Sequence, residues 1–331
     1  MNISILGAGA WGTALAINLA QRHHVVLWGR NREAMQQADQ HRENIAYLRG
    51  FQLPPALTVT ADFSLALAHQ TQPESLLIVA SSVSGLRELC TTLRSSAIPN
   101  LVWLCKGLEE QSRLMPHQIV AEVLGNDVPA GALSGPSFAQ EVARALPCAL
   151  TIASHDKALC ARVVGAVHGG NLRVYSSDDL IGVEIGGAVK NILAIATGAA
   201  DGLQLGLNAR AALITRGLAE ISRLGIALGG RAETFMGLSG VGDLILTCTG
   251  DLSRNRQVGL GLAQGKPLDV IVAELGHVAE GVRCAQAVRL LARQHHVDMP
   301  ITNAVASALF DAMPVQEMVA QLLARDPREE N

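Results

Sequence analysis

The sequence predicts an α/β protein with two domains: a mostly parallel sheet domain over residues 1–179, followed by an all-α domain over residues 180–331. Two observations support this fold class. In the first half, short apolar runs alternate with helical patterns, which is typical of buried parallel strands joined by crossover helices. Beyond about Asp178 the strand-like runs end, and the remaining patterns are helical and rich in alanine and leucine.

Seven apolar runs predict the strands of the first domain. In chain order these runs are ISIL, VVLW, LLIVA, LVWLC, GALS, ALTIA and LRVYS. Helical patterns over residues 13–21, 85–92 and 114–124 fall between them, as crossover connections require. In the second domain, the first long helical pattern contains Lys190.

Composition excludes several classes of protein. With 49% hydrophobic and 17% charged residues, the chain is expected to form a large core. A net charge of −3 gives no reason to expect nucleic acid or an anionic membrane as a partner. The chain starts without the basic segment of a signal peptide, and we expect no segment long and apolar enough to span a bilayer. The six cysteines include no CxxC pair, which fits reduced thiols and a cytoplasmic location.

Metal binding is not indicated by the sequence. The ten histidines include two adjacent pairs, His23-His24 and His295-His296. Neither pair has the i, i+4 spacing that places two ligands on one face of a helix. We therefore predict no metal site.

A glycine-rich turn, GAGAWG, places Gly7, Gly9 and Gly12 between the strand ISIL and the helix TALAINLA. In this context the first glycine permits a tight turn, the second lets backbone amides approach a pyrophosphate, and the third lets helix and strand pack closely. The N-terminus of the helix adds partial positive charge for the anion. The turn therefore predicts a Rossmann-type dinucleotide-binding domain rather than a tight turn without a ligand.

The end of the second strand, VVLWGR, indicates which dinucleotide is bound. NAD-specific sites usually have Asp or Glu here to accept hydrogen bonds from the ribose hydroxyls. This chain has no carboxylate before Glu33; instead Arg30 follows Gly29, and Arg32 is close by. Because a guanidinium group suits a 2′-phosphate, we predict that NADP(H) is preferred and that NAD(H) is also used. The alternative is an arginine that is simply solvated in a loop.

Lys190 is the only cation in the otherwise apolar, small-residue stretch EIGGAVKNILAIATGAADGL, residues 184–203. Gly187 and Gly186 lie three and four positions before it, on the same helical face. Glycine costs a helix about 1 kcal/mol relative to alanine, which suggests that something approaches this face closely, and we expect a small substrate. The alternative is a lysine whose stem lies along the helix while its ammonium group reaches water.

Further stretches contain polar side chains that the fold alone does not require. Lys106 follows the strand LVWLC, at the strand end where open α/β sheets bind ligands. The segment SGPSFA, residues 134–139, offers Ser137 and backbone amides at the start of a helix. In the second half, Asp243 follows a glycine-rich turn, and SRNR, residues 253–256, offers a hydroxyl, two guanidinium groups and an amide to a phosphate.

Each residue of the second half also has a plainer interpretation when it is taken alone. Ser253 is then an N-cap, Arg256 a solvated side chain, and Asp243 a turn residue. Their occurrence together with Lys190 in one helical domain favours the functional interpretation.

Eight motifs follow one another from residue 7 to residue 282. In chain order they are GAGAWGTALA, CKGLE, LSGPSFA, IGVEIGGAVKNILAIATG, NARAALITRGLAE, GLSGVGDLILTC, SRNR and AEGV. Together they closely resemble the bacterial NAD(P)-dependent glycerol-3-phosphate dehydrogenases. The resemblance implies reversible hydride transfer between NAD(P)H and dihydroxyacetone phosphate, which gives sn-glycerol 3-phosphate for phospholipid synthesis. It also implies a homodimer.

The resemblance further assigns residues of this chain to roles. The proton would be transferred by Lys190, with Asp243 as its catalytic neighbour. Besides the three glycines, the cofactor would contact Ala10, Trp11, Arg30, Lys106, Ala139, Arg254, Val278 and Glu280. The substrate would contact Lys106, Gly135, Ser137, Lys190, Asp243, Ser253, Arg254 and Asn255. The chain departs from the usual family pattern at Ala10, where a hydroxyl residue is common, at Ser137, where Thr is common, and at Val241, where Leu is common.

Two other functions fit part of the sequence. The first is another two-domain reductase, such as a β-hydroxyacid or 6-phosphogluconate dehydrogenase or a ketopantoate reductase, which would also set a lysine from a helical domain against a nucleotide-binding domain. Those enzymes do not explain SGPSFA and SRNR together. The second is a non-catalytic NADP(H)-binding regulator, against which the presence of Lys190, Asp243 and Arg254 argues.

Overall fold

The computed structural model describes residues 1–70, 72, 74–276 and 279–323. The chain divides into two compact units. The first consists of Met1–Lys106 and Leu114–Glu184, and the second of Gly107–Arg113 and Ile185–Asn331. This division falls after Glu184 rather than after residue 179, and the domain boundary derived from the sequence stays a prediction.

The first unit is built on a sheet that has eight strands in the described part of the chain. The strands are β1 (Asn2–Leu6), β2 (His24–Trp28), β3 (Thr58–Thr60), β4 (Leu76–Val79), β5 (Leu101–Trp103), β6 (Ala130–Ser134), β7 (Cys148–Ala153) and β8 (Leu172–Ser177). Their order is β3-β2-β1-β4-β5-β6-β7-β8, and all neighbours are parallel except β6 and β7. Because β1 lies between β2 and β4, the carboxyl ends of β1 and β4 form the switch point where such sheets bind ligands.

The strands of this unit are connected mostly by helices. Those described are α1 (Ala10–Leu19), α2 (Arg32–His41), α3 (Phe63–Ala68), α4 (Val83–Leu93), α5 (Pro116–Leu124), α6 (Ala139–Ala143) and α7 (Lys157–Val167). Successive side chains of a strand point to opposite faces of the sheet, and β1 shows the result. Ile3 and Ile5 enter one core cluster together with Leu15 of α1, whereas Leu6 enters a second cluster together with Leu86 of α4.

The second unit contains helices and no strand among its described residues. After α8 (Leu180–Gly202), which begins in the first unit, come α9 (Gly206–Ala227), α10 (Ala232–Phe235), a π-helical turn (Leu238–Gly242), α11 (Asp243–Thr249), α12 (Arg254–Ala263), α13 (Leu268–Leu275), α14 (Glu280–Gln294), α15 (Pro300–Phe310) and α16 (Val315–Leu323). Lys190 lies on α8, the first long helix, as predicted.

Helix α8 corrects one expectation about membranes. With 23 residues and a mean hydropathy of 1.5 over its most apolar 18-residue window, it is long and apolar enough to cross a bilayer. The expectation that no segment meets these criteria is therefore wrong. In the structure 94% of that window is buried inside the protein, and a core helix meets the same criteria because it too is apolar on all sides.

The fold class derived from the sequence is confirmed. Each of the seven apolar runs forms a strand, and the three helical patterns correspond to α1, α4 and α5. Helix α1 begins at Ala10, three residues earlier than predicted, because Gly9 is already its N-cap. Strand β3 was missed, since its three residues are too few to show a period.

Candidate active site

The glycine-rich turn joins β1 to α1 and has the shape of an anion cradle. Gly7 has a φ of +126°, and a Cβ atom on it would lie 2.5 Å from the carbonyl oxygen of Ala80. A Cβ atom on Gly12 would lie 2.1 Å from the carbonyl oxygen of Gly7. The Cβ position of Gly9, by contrast, faces open space. The turn is therefore closed on one side and open beside the first amides of α1, which have no acceptor within the helix. This geometry fits a pyrophosphate.

Asn44 supports this turn from a distant part of the chain. Its side chain is buried, and its Nδ2 atom donates to the carbonyl oxygen of Ala8 at 2.8 Å and to the Oγ1 atom of Thr13 at 2.9 Å. The two bonds fix the middle of the turn to the first part of α1. Sequence reasoning missed Asn44 because nothing in the local pattern connects it with a turn more than thirty residues earlier.

Arg30 lies two residues after the end of β2, and its side chain is 80% exposed. Its Nη1 atom donates to the Oε2 atom of Glu88 on α4 at 3.1 Å. An exposed ion pair of this kind contributes only about 0–1 kcal/mol. Arg30 thus has a partner in the structure, and its interaction with that partner is weak.

In the first unit, hydrogen bonds connect four of the residues assigned by resemblance: Trp11, Lys106, Gly135 and Ser137. Lys106 donates from Nζ to the carbonyl oxygen of Gly135 at 2.9 Å, and the hydroxyl of Ser137 donates to the same oxygen at 3.1 Å. The indole of Trp11, on α1, donates to the Oγ atom of Ser137 at 2.9 Å. Ala139 begins α6 and packs against the core cluster that contains Leu15. A cation, a hydroxyl and the start of α1 are thereby held together at the carboxyl ends of the strands.

Lys190 and Asp243 form a buried ion pair in the second unit. Their side chains are 7% and 1% exposed, and Nζ of Lys190 donates to Oδ1 of Asp243. Nζ also donates to Oγ1 of Thr247 at 2.9 Å, and that hydroxyl in turn donates to the carbonyl oxygen of Asp243 at 2.6 Å. A lysine whose ammonium group reaches water is therefore excluded. Asp243 begins α11 rather than lying in a turn. Thr247, one turn later on α11, was missed.

The two glycines beside Lys190 were expected to leave room for substrate, and for Gly186 this expectation is wrong. A Cβ atom on Gly186 would lie 2.2 Å from the carbonyl oxygen of Ser239, in the π-helical turn. The close approach is therefore made by the chain itself. It brings the turn that leads into Asp243 against the helix that carries Lys190, and so it sets the distance between the two charges.

Cys248, near this ion pair, carries a thiol that is not suited to proton transfer. It is fully buried on α11. Burial raises the pKa of its thiol to about 12, against smaller opposing effects of a hydrogen bond with Thr197 and of the nearby Lys190 charge. The thiol stays protonated at neutral pH, and the lysine is the group of this cluster that is suited to proton transfer.

The segment 253–255 lies at the start of α12, and its side chains make different contacts. Ser253 is the N-cap: its Oγ atom accepts from the backbone N–H of Arg256 at 3.2 Å, so the plain N-cap interpretation is correct as far as it goes. Asn255 is buried, donates to Oδ1 of Asn191 at 2.9 Å and accepts from the backbone N–H of Gly281 at 2.9 Å. Asn191, the neighbour of the catalytic candidate on α8, is a further residue that sequence reasoning missed.

Arg254 and Glu280 are linked by charge. The side chain of Arg254 is exposed, whereas Glu280, the first residue of α14, is partly buried. Burial raises the pKa of the Glu280 carboxyl, and the nearby guanidinium groups of Arg283 and Arg254 oppose that rise. Val278, which the resemblance assigns to the cofactor, lies outside the described residues.

The interpretation of Arg256, taken alone, as a solvated side chain is wrong. Its side chain is only 10% exposed and forms ion pairs with Asp201 on α8 and with Asp251. The sequence shows two similar arginines two positions apart, and only the packing of α12 on α8 distinguishes the buried one from the exposed Arg254.

Metal ligands are not clustered in the described part of the chain. Among those residues, no group of three or more His, Cys, Asp or Glu side chains is arranged to hold a metal ion.

Comparison with known proteins gives the family. The model of the N-terminal part of NAD-dependent glycerol-3-phosphate dehydrogenases matches residues 2–160, and the model of the C-terminal part matches residues 179–320. The chain is 72% identical over 331 residues to the glycerol-3-phosphate dehydrogenase [NAD(P)+] of Paucimonas lemoignei, with 100% of this chain and 99% of the relative covered. It is 69% identical over 330 residues to the corresponding protein of Herminiimonas arsenicoxydans, with the same coverage.

A solved structure agrees with this assignment. The crystal structure of glycerol-3-phosphate dehydrogenase from Coxiella burnetii is 40% identical, covers 98% of each chain and superimposes with a TM-score of 0.93. The resemblance inferred from the eight motifs is thereby confirmed, and with it the class of NAD(P)-dependent oxidoreductase. Since the two family models together match most of the sequence and full-length relatives share more than two thirds of its residues, the chain belongs to the NAD-dependent glycerol-3-phosphate dehydrogenase family.

Proposed function

We propose that the chain reduces dihydroxyacetone phosphate to sn-glycerol 3-phosphate with NAD(P)H, and that it also catalyses the reverse reaction, in support of glycerophospholipid synthesis. The observation that carries this proposal is the buried Lys190–Asp243 ion pair in a chain of this family. A buried, hydrogen-bonded ammonium group is expensive to place in a protein core, and acid–base chemistry on a small ketone accounts for it.

The first unit would hold the cofactor. The open side of the turn at Gly9, together with the amides of Ala10 and Trp11, suits the pyrophosphate. Arg30 suits a 2′-phosphate, and the chain offers no carboxylate at that position to a free ribose hydroxyl; on this basis NADPH is the preferred cofactor and NADH the second. Ala139, Arg254, Val278 and Glu280 complete the proposed set. When it is bound, the nicotinamide supplies the hydride.

Lys190 would supply the proton. Reduction of a ketone leaves negative charge on the carbonyl oxygen, and an ammonium group beside that oxygen first stabilises the charge and then protonates it. Asp243 and Thr247 hold the ammonium group in place through the two hydrogen bonds to Nζ. After the transfer, the amine is left beside the carboxylate of Asp243, which favours its return to the charged form. In the reverse direction the same amine accepts the proton of the alcohol.

The phosphate of the substrate would be bound by the segment 253–255. Arg254 offers an exposed guanidinium group in the first turn of α12, and the hydroxyl of Ser253 and the amide of Asn255 flank it. Both the helix dipole and the charge-assisted hydrogen bonds favour a dianion there. Lys106, Gly135 and Ser137 are the proposed contacts from the first unit.

We also propose that the protein is a cytoplasmic homodimer that inserts into no membrane. The six cysteines are scattered along the sequence and include no CxxC pair, which supports a reducing compartment. Large apolar side chains of the second unit are exposed, among them Leu207 at 71% and Met236 at 67%, which supports contact with a second copy.

The test of the proposed function is the oxidation of NADPH and of NADH by the purified protein with a panel of ketones. Dihydroxyacetone phosphate should be turned over, while dihydroxyacetone and 2-oxo acids should be very poor substrates. Turnover of a 2-oxo acid in preference to the phosphorylated ketone would identify another two-domain reductase. Binding of NADPH without oxidation of any member of the panel would identify a non-catalytic regulator.

A further inference from the structure

We propose that Arg256 is a positioning residue, which holds the phosphate-binding segment 253–255 in register with the proton donor on α8. The inference rests on the proposed function, because it concerns the same phosphate. It assigns a role to Arg256, the one member of SRNR that the resemblance connects with neither substrate nor cofactor.

The first observation is that one buried carboxylate joins three helices. Asp201, on α8, is 8% exposed. Its Oδ2 atom accepts from Nε of Arg256 on α12 at 2.9 Å, and its Oδ1 atom accepts from Nε of Arg210 on α9 at 2.8 Å. Lys190 lies eleven residues earlier on the same helix, about 16 Å along its axis. Asp201 is therefore an anchor on the rigid element that carries the proposed proton donor.

The second observation is that Arg256 contacts both the residue range just before the segment 253–255 and the first residue of the segment. Its Nη1 atom donates to Oδ1 of Asp251 at 2.9 Å, just before the segment, and its backbone N–H donates to Oγ of Ser253 at 3.2 Å. The three residues proposed to bind phosphate lie between Asp251 and Arg256 in the sequence. Rotation of α12 about its own axis would move them all, and the fork of the guanidinium group resists that rotation because its two bonds point in different directions.

The third observation is that α8 and α12 touch through their backbones at the same place. A Cβ atom on Gly198 would lie 2.1 Å from the carbonyl oxygen of Arg256, and one on Gly259 would lie 2.1 Å from the carbonyl oxygen of Ile195. The contact fixes the distance between the helices. The rotation of α12 decides where the side chain of Arg254 points. It is set by the ion pair of Arg256 together with the hydrogen bond from Asn255 to Asn191 on α8.

Arg210 offers a matched control. It is 21% exposed and binds the same carboxylate as Arg256, but it lies on α9, which carries none of the residues proposed for substrate or cofactor. Loss of either arginine leaves Asp201 with one partner fewer. Only loss of Arg256 frees the segment that binds the phosphate.

The experiment compares Arg256→Met, Arg256→Lys and Arg210→Met in the full-length protein. Steady-state kinetics are measured with dihydroxyacetone phosphate and with dihydroxyacetone, and melting temperatures are recorded. Arg256→Met should raise the KM for dihydroxyacetone phosphate about tenfold or more, with kcat changed less than about threefold and with little effect on kcat/KM for dihydroxyacetone. Arg256→Lys, which keeps the charge but not the fork, should give an intermediate KM. Arg210→Met should lower the melting temperature and leave that KM within about twofold.

Equal KM values in Arg256→Met and Arg210→Met would overturn the proposal, as would an equal loss of kcat/KM with both ketones in Arg256→Met. If Arg256→Met does not accumulate as folded protein, Arg256→Lys decides: a KM raised severalfold supports positioning, and an unchanged KM contradicts it. A wild-type protein that fails to reduce dihydroxyacetone phosphate would instead refute the proposed function, so the two failures are distinguishable.

Discussion

The indole nitrogen of Trp11 lies 2.9 Å from the hydroxyl oxygen of Ser137 and 3.1 Å from the carbonyl oxygen of the same residue. One side chain in the first turn of α1 thus holds the proposed substrate contact of SGPSFA. The arrangement predicts that the dinucleotide turn and the substrate segment are coupled within the first unit.

Trp11→Phe tests that coupling, because it keeps the ring and removes both hydrogen bonds. The one indole N–H is shared between the two oxygens, and its loss costs about 1 kcal/mol, so the KM for dihydroxyacetone phosphate should rise about fivefold. Trp28→Phe is the control: it removes an indole bond of 3.1 Å to the carbonyl oxygen of Ala61 and should leave that KM unchanged. Unchanged KM values in both variants would mean that Trp11 does not orient Ser137.

Cofactor preference should follow the charge of Arg30. Arg30→Asp places a carboxylate where we expect the 2′-phosphate, so kcat/KM with NADPH should fall at least tenfold while the value with NADH is kept or raised. Arg87→Asp, on α4, makes the same change in net charge at a residue that is not a proposed cofactor contact and should leave the ratio of the two efficiencies unaltered. An equal loss with both cofactors in Arg30→Asp would show that Arg30 does not read the 2′-phosphate.

Loss of the guanidinium group of Arg254 should lower kcat/KM mainly for the phosphorylated substrate. A charge-assisted hydrogen bond contributes about 1.5–3 kcal/mol, so Arg254→Ala should lower kcat/KM for dihydroxyacetone phosphate about tenfold to a hundredfold. Dihydroxyacetone, already a very poor substrate, should be affected little. Because Arg254 is also assigned to the cofactor, the Kd for NADPH is measured in the same variant. The same factor of loss with both ketones would place the phosphate elsewhere.

Because of Glu220, we predict a contribution to stability that falls as pH rises, whereas a carboxylate with a lowered pKa would contribute more as pH rises. Glu220 is fully buried on α9 and accepts hydrogen bonds from the backbone N–H groups of Ile301 and Thr302 at the start of α15. Burial raises the pKa of its carboxyl, although those hydrogen bonds oppose the rise. The folded state therefore binds the proton more tightly than the unfolded state, and its stability declines as pH rises from the ordinary range of a glutamate through the raised pKa.

Glu220→Gln removes this titration and is the test. The free energy of unfolding of the wild-type protein minus that of the variant should become smaller as pH rises through the same interval. Denaturant unfolding at a series of pH values measures it. A difference that grows with pH there would mean that the folded-state pKa of Glu220 is lowered rather than raised.

Most of the fold could be predicted from local patterns in the sequence. The strand-turn-helix unit around Gly7 was predictable because the apolar run, the glycine spacing and the helix start are contiguous in the sequence. Strand β3, only three residues long, has no period of its own and forms because β2 is beside it. The length and apolar character of α8 describe both a core helix and a membrane helix, and only its burial separates the two.

The residues of the candidate site could be predicted from the sequence, but the contacts between them could not. The motifs brought Lys190 and Asp243 to notice, but their burial and the bond to Thr247 depend on α8 and α11 packing together across more than fifty residues of sequence. Asn44 and Asn191 carry no local signal at all, since each acts through a partner far along the chain. Sequence patterns show what a residue is able to do, whereas tertiary packing decides what it touches.

The proton donor is the central claim, and the turnover of Lys190→Ala with NADPH and dihydroxyacetone phosphate tests it most directly. Removal of Lys190 leaves the buried carboxylate of Asp243 without its cation, so folding and NADPH binding are verified in the same preparation. We predict a folded variant that binds NADPH and whose kcat is lower by about a hundredfold or more, the scale expected for lost acid–base catalysis. Lys190→Arg should be equally inactive, because a guanidinium group does not release its proton near neutral pH. A kcat within a few-fold of the wild-type value in either variant would contradict the account and make Lys190 a structural residue.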